Sequence, residues 1–159
     1  MADRAMDVYL NDHLAGAMLG SDLAEQICDR HEGTPLGDRM RPIAAQIDED
    51  RQTLLDLMER MGVSRNPVKQ AAGWVAEKAS RVKFSGLASG EPDHGAFMAL
   101  ESLTLGVEGK GCLWRVLKEV ASQHPPLAST NLDQLIERAE AQHRALERER
   151  LAAGTRTLG

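Results

Sequence analysis

The sequence predicts an all-α protein whose long helices pack side by side, and three observations support this. Apolar residues recur at alternating steps of three and four along several long segments, which is the spacing of one face of an α-helix. Aromatic residues make up only 3% of the 159 residues, so the core must be built from aliphatic side chains and methionine. No segment shows the strict alternation of apolar and polar residues that is typical of a half-buried strand.

The first predicted helix covers residues 3–30. Apolar or small residues recur at helical spacing from Met6 to Ile27, and His13 lies on the same stripe. This pattern predicts a helix that is buried along one side. The small residues in its second half would let another helix approach closely.

The second predicted helix covers residues 35–61 and begins with the clearest local signal in the chain. Thr34 is typical of an N-cap, and Pro35 follows at the first helical position, where a backbone N–H is not needed. Gly62 is placed as a C-terminal cap. Every position on the apolar stripe of this helix is hydrophobic except Asp50.

A shorter helix is predicted over residues 67–84, introduced by Asn66 and Pro67. The stretch that follows, SGLASGEPDHG, is rich in Gly, Ser and Pro and indicates a loop. The whole connection between the second and the next long helix is therefore long. A connection of this length lets the chain cross over to the far end of a bundle.

The next long helix is predicted over residues 95–123. Its run AFMALESLTLGV is apolar nearly all round, which indicates a helix covered on several sides. Glu101 is the only charge in that run, and Glu108 follows one heptad later on the same face. Two consecutive prolines, Pro125 and Pro126, stop the helix.

The last helix is predicted over residues 131–151, with Thr130 or Asn131 as its cap. The spacing assigns its inner side to five residues: Leu132, Leu135, Ala139, His143 and Leu146. The polar stretch ERAEAQHR contains the spacing Glu140-x-x-His143. The tail AAGTRTLG is expected to fray.

Composition and charge restrict the class of protein. The length suits one domain spanning residues 1–159, and the net charge of −5 offers no overall attraction to nucleic acid or to an anionic membrane. The two cysteines, Cys28 and Cys112, are far apart and form no CxxC pattern, which indicates reduced thiols rather than a disulfide framework. No apolar run approaches the ~18 residues that cross a bilayer, and the N-terminus lacks an apolar signal segment. A cytoplasmic protein is expected.

Several ionisable residues fall near the middle of predicted helices. An ionisable group inside a helix bundle is costly unless it is paired or bound to a metal. If the middles of the helices meet at one level, carboxylates and imidazoles from different helices would converge there, as in a two-metal site for iron or manganese. The candidate ligands are Asp50, Glu101, Glu140 and His143, assisted by His13 or Glu108.

In these features the chain resembles the ferritin-like superfamily, which includes ferritins and rubrerythrins. The resemblance rests on the long helices, the long crossover, the inward carboxylates and Glu140-x-x-His143, and it covers roughly residues 3–150. It implies a ferritin-like up-down four-helix bundle with a long crossover that carries the extra shorter helix. The family pattern has a Glu-x-x-His on each of two helices. Here only Glu140 and His143 fit it, since Thr53 stands three residues after Asp50.

Each candidate also has a structural interpretation without a metal. Asp50 would be paired with an arginine such as Arg115, or with a partner subunit, and Glu101 with Lys110 or His143. Glu140 and His143 would form a solvated pair on a polar helix face. His13 would be a hydrogen-bonded histidine of the core.

Two functions follow from these alternatives. The first is a structural or protein-interaction module, without a complete di-metal site or a cofactor, that binds another protein or forms a homodimer. The second, implied by the resemblance, is a di-iron or di-manganese protein that acts in oxidative stress or metal handling. Neither nucleic acid nor a membrane is an expected partner, and whether the protein is an enzyme stays open.

Overall fold

A computed structural model describes residues 2–65 and 92–159 of the chain. Within them lie the helices α1 (Ala2–Arg30), α2 (Pro35–Arg60), α3 (Pro92–Glu119), the short α4 (Pro125–Ala128) and α5 (Leu132–Leu158), with a 3₁₀ turn at Ala121–Gln123. These two ranges contain no strand, so the all-α prediction is confirmed for them. The connecting helix predicted for residues 67–84 lies outside the described residues.

The caps of α2 behave as predicted. The hydroxyl oxygen of Thr34 accepts a hydrogen bond from the Gly37 backbone N–H at 3.2 Å, which satisfies one of the free donors of the first turn. Pro35 occupies the first helical position, and Gly62 follows the helix with a positive φ of 70°. A left-handed residue after a helix is most easily supplied by glycine.

The last helix starts beside its predicted cap, Asn131, but the other bounds predicted for the last two long helices were wrong. α3 starts at Pro92 rather than residue 95, because a proline fits the first turn, and it ends at Glu119 rather than 123. After it the chain tightens into a 3₁₀ turn, and His124, which precedes Pro125, is extended with φ −134° and ψ 103°. A residue before proline is driven to this conformation.

α5 continues to Leu158 instead of fraying after residue 151. Ala153 in this last part is buried, and a Cβ atom built on Gly154 would lie 3.0 Å from the Phe97 ring of α3. Packing against α3 therefore extends the helix. Small residues such as glycine lower helix propensity by themselves, but tertiary contact overrides that preference.

The apolar core consists of two clusters, one toward each end of the helices. The first joins the first half of α1 and of α5 to the last half of α2 and of α3. The second joins the opposite halves of the same helices. Hence α1 and α5 run in one direction and α2 and α3 in the other, so α2 ends and α3 begins at opposite ends of the packed helices.

The lateral contacts of the helices are unequal. α1 packs against α2 and α3, and α3 packs most extensively against α5. Between α2 and α5 the backbones approach less closely, and long side chains such as Arg39 and Glu149 bridge them at 2.5 Å. None of the described helices is long and apolar enough to cross a membrane.

Candidate functional site

A buried polar layer separates the two apolar clusters. On α2, Asp50 lies between Ile47 of the second cluster and Leu54 of the first. On α3 and α5, the residues at the corresponding level are Lys110 and Gln142. We call Asp50, Lys110, Arg138 and Gln142 the middle layer.

Asp50 is the centre of the middle layer, and its side chain is 0% exposed. Its Oδ2 atom accepts a hydrogen bond from Lys110 Nζ at 2.7 Å and one from Gln142 Nε2 at 3.2 Å. Its Oδ1 atom lies 2.7 Å from Arg138 Nη2, which is an ion-pair distance although the angle is not that of a hydrogen bond. The buried carboxylate is thus compensated by two cations from two other helices.

Although the buried Arg138 Nε has no hydrogen-bond partner among the described residues, the amide of Gln142 extends the hydrogen bonding of the layer. Its Oε1 accepts a hydrogen bond from Lys110 Nζ, and its Nε2 also lies 3.3 Å from the acceptor oxygen of Gln46. A single amide therefore joins the carboxylate, the ammonium and a second amide. Such a network specifies one relative position of α2, α3 and α5, because a shift of any helix would leave a buried polar group unpaired.

The charges of the middle layer balance at its edge. Arg138 Nη1 donates to the exposed Glu49 Oε2 at 2.8 Å, so two cations face two carboxylates. Burial lowers the pKa of Lys110, and the like charge of Arg138 acts in the same direction, while the attraction and hydrogen bond of Asp50 oppose them. The Lys110 side chain is 14% exposed, so it is not wholly removed from solvent.

Two predicted metal ligands of α3 contact arginines instead. Glu101 Oε2 accepts a hydrogen bond from Arg150 Nη1 at 3.0 Å, not from Lys110 or His143. Since a helix rises 1.5 Å per residue, Glu101 is displaced by about 14 Å along α3 from Lys110. Glu108 Oε1 accepts from Arg115 Nη2 at 2.7 Å on the exposed face of α3.

The predicted pair on α5 does not enter the middle layer. Glu140 is exposed and His143 is half-buried, whereas Gln142 between them is buried. The inner side of α5 follows the positions 135, 139, 142 and 146, not 143. The error has a simple cause, since after Ala139 both a step of three and a step of four are compatible with a helix, and the apolar pattern alone did not choose between them.

His13 lies at another level. Its neighbours on α1, Leu10 and Leu14, belong to the first apolar cluster, and the Tyr9 ring meets the imidazole edge-to-face with centroids 4.6 Å apart. Burial lowers the pKa of His13, and the Asp12 carboxylate partly opposes that shift. The imidazole is therefore a half-buried member of an aromatic pair.

The expectation that the six candidate ligands meet at one level is not supported by their placement. Asp50 is held by cations in the middle layer, Glu101 lies level with the second cluster, and His13 lies level with the first. In the part of the chain that the structure describes, no group of three or more His, Cys, Asp or Glu side chains is placed to hold a metal ion. These residues do not fit a two-metal centre, and metal binding stays a prediction.

Three residues of the middle layer were not predicted as a site, although the sequence carries a signal for two of them, Lys110 and Gln142. Lys110 continues the buried stripe of α3, formed by Leu103, Val107, Trp114 and Leu117, at steps of four and three. Gln142 interrupts the stripe of α5 in the same way. Arg115, the predicted partner of Asp50, lies on the outer face of α3, and Arg138 and Lys110 take that role. A polar residue inside an apolar stripe on each of three helices is the signal that such a layer leaves.

Comparisons of the chain with protein-family models, with curated proteins and with solved structures found no match. The functional interpretation therefore rests on the contacts of the described residues.

Proposed function

We propose that this chain is a ferritin-like up-down four-helix bundle that acts as a structural or protein-interaction module. In this proposal, the middle layer fills the centre of the bundle with buried ion pairs, at the level where the family binds its metals. The single observation that carries it is the ammonium of Lys110, 2.7 Å from the fully buried carboxylate of Asp50.

The helix directions support the bundle. α1 and α5 run opposite to α2 and α3, and α2 ends at the far end from the start of α3. That arrangement requires a crossover between α2 and α3, which is the topology of ferritin-like folds with one long connection. An all-antiparallel bundle would have joined them by a short loop.

The charge of the middle layer supports the absence of a working metal centre. A divalent cation is bound by carboxylate or imidazole ligands whose lone pairs are not already engaged with another cation or hydrogen-bond donor. Here the Asp50 carboxylate faces Lys110 and Arg138, and the nearest amide, Gln142, is neutral. A metal ion entering this layer would be repelled by two fixed positive charges, which in a buried environment is a strong effect. Lys110 therefore supplies from within the chain the positive charge that a metal would bring.

Metal analysis of protein purified from cells supplemented with iron and manganese tests the proposal. We expect far less than one equivalent per chain, and a thermal midpoint that a chelator leaves unchanged. About two equivalents per chain, lost in both Asp50→Ala and Glu140→Ala, would instead establish the di-metal alternative.

A second measurement tests the structural role of the middle layer. The double variant Asp50→Leu with Lys110→Met replaces the ion pair by apolar side chains. Arg138 keeps its ion pair with Glu49. The free energy of unfolding of the double variant should lie close to that of the wild type, because the replacement removes the cost of burying two charges but leaves the buried Gln142 amide with Gln46 as its remaining partner. If the double variant fails to fold, the Asp50–Lys110 pair does more than fill the core and position the helices, and the proposal is contradicted.

A further inference from the structure

The outer face of α3 carries an apolar stripe that the described residues leave open. Leu105 and Val116, at its two ends, are 60% and 48% exposed. Gly109 and Cys112 lie between them at helical spacing, Cys112 is exposed, and a Cβ atom built on Gly109 would meet nothing within 4 Å. We call Leu105, Gly109, Cys112 and Val116 the α3 stripe. The side chains at its centre are small, and those at its two ends are large.

One pair of opposite charges flanks the α3 stripe. Glu108 lies toward its N-terminal part and Arg115 toward its C-terminal part. Within one chain they form a salt bridge with each other at 2.7 Å, and both side chains are about half exposed. Their order along the helix matters, because a two-fold axis reverses it. Reversal places the Glu108 of each copy beside the Arg115 of the other copy, so the pair within each chain can be exchanged for two pairs between chains and the surface is complementary to itself in charge.

We infer that a second copy of this chain docks on the α3 stripe, with the two α3 helices antiparallel. The two-fold axis passes midway between Leu105 and Val116, at the level of Lys110 and Gly111 but on the opposite face of α3. Leu105 of each copy then meets Val116 of the other, and Gly109 meets Cys112. Glu108 of each copy approaches Arg115 of the other.

Shape favours the same register. A shallow groove between α3 and α5 lies at the C-terminal end of the stripe, and it is lined by Val116 and Ile136 and by four charged residues, Arg115, Lys118, Glu119 and Asp133. In the antiparallel pair this groove faces the protruding Leu105 of the second copy. The small residues at the centre let the two backbones approach closely, as small residues do at other helix–helix contacts.

The size of the contact sets its strength. One pair of helices buries less surface than a standard interface, so we expect a dimer that dissociates on dilution rather than an obligate one. The inference rests on the proposed role as an interaction module and names its partner.

Cross-linking of the full-length chain in a Cys28→Ser background tests it, since Cys112 is then the sole cysteine. In the proposed geometry both Cys112 thiols lie within one helical turn of the axis, so a short bismaleimide should join two chains. Sedimentation equilibrium over a dilution series measures the dissociation constant of the same protein. Leu105→Glu and Val116→Glu should each raise it at least about tenfold, because each substitution acts twice in a symmetric dimer.

Two controls separate this surface from others. Met18→Glu alters a side chain of similar exposure, 44%, on α1 and should leave the dissociation constant unchanged. Glu108→Arg and Arg115→Glu should each weaken the dimer several-fold, and the two together should restore it. Both large apolar side chains are exposed in the folded chain, so helical content by circular dichroism should be the same in every variant.

Two outcomes overturn the inference. The first is a monomer at the highest soluble concentration, and the second is a dimer that Cys112 does not cross-link. In a monomer, a Cys112 thiol that resists a small maleimide would further show that another part of the same chain covers the stripe. A monomer that binds no metal would contradict the dimer but agree with the proposed bundle without a metal centre. A dimer that binds metal would agree with the dimer and contradict that proposed function.

Discussion

Two charged networks of this protein use the same chemistry at different depths. In the middle layer, the fully buried carboxylate of Asp50 contacts Lys110 and Arg138. Near the surface, Arg150 joins Glu101 at 3.0 Å and Glu147 at 2.7 Å, and the Glu101 side chain is 38% exposed. The distances are alike, so distance alone does not tell which network matters more for stability.

Water makes the difference between them. A partly exposed ion pair is screened by solvent and by salt, and it gains little over the separate hydrated charges. A buried charge has lost its hydration, so removing its partner leaves a cost that nothing else in the core compensates. The comparison indicates that burial, rather than distance, decides how much the loss of an ion-pair partner destabilises the fold.

The largest expected effect is that of removing Asp50. Asp50→Ala should lower the free energy of unfolding by about 3–5 kcal/mol, because it leaves the largely buried ammonium of Lys110 without its carboxylate. Urea denaturation measures this change. Asp48→Ala, an exposed aspartate of the same helix, is the matched control and should change stability little. Equal losses of free energy of unfolding in the two variants would show that the middle layer contributes no more to stability than an exposed charge.

A smaller effect should distinguish the two networks directly. Double-mutant cycles for Asp50 with Lys110 and for Glu101 with Arg150 measure the coupling free energy of each pair. The buried pair should couple by about 0.5–3 kcal/mol and be insensitive to salt. The Glu101 pair should show a coupling close to experimental error that vanishes in high salt. Similar couplings with similar salt dependence would contradict the comparison.

The smallest expected effect concerns pH and His13. Its pKa is lowered from the ordinary value of 6.5 by burial, so the unfolded chain binds its proton at a higher pH than the folded chain. Stability should therefore fall as the pH drops below 6.5 and should level off below the folded pKa. His13→Gln removes this titration.

Thermal midpoints of wild type and His13→Gln across that pH range measure the effect. The loss toward acid should be smaller in the variant. Parallel curves would mean that His13 titrates alike in both states. The effect should be modest, because His13 is only half-buried and Asp12 partly offsets the shift.

How far the sequence predicted the fold can be followed on particular residues. The start of α2 was predicted correctly because Thr34 and Pro35 act through hydrogen bonds and dihedral angles of their own turn. Asp50 was predicted to be interior because its neighbours along the stripe are apolar, and it is buried. The end of α5 was not predicted, because Ala153 and Gly154 are held by α3, which is distant in the sequence.

The candidate site was harder to predict than the fold. The sequence by itself determined that long amphipathic helices would form and that Asp50 would need a partner inside them, since periodicity and the cost of burying a charge are local properties. Only the tertiary structure decided that the partners are Lys110, Arg138 and Gln142. Which side chains meet depends on the level and rotation at which separate helices pack, and a shift of one residue, from 143 to 142, turns a side chain by about 100° around the helix.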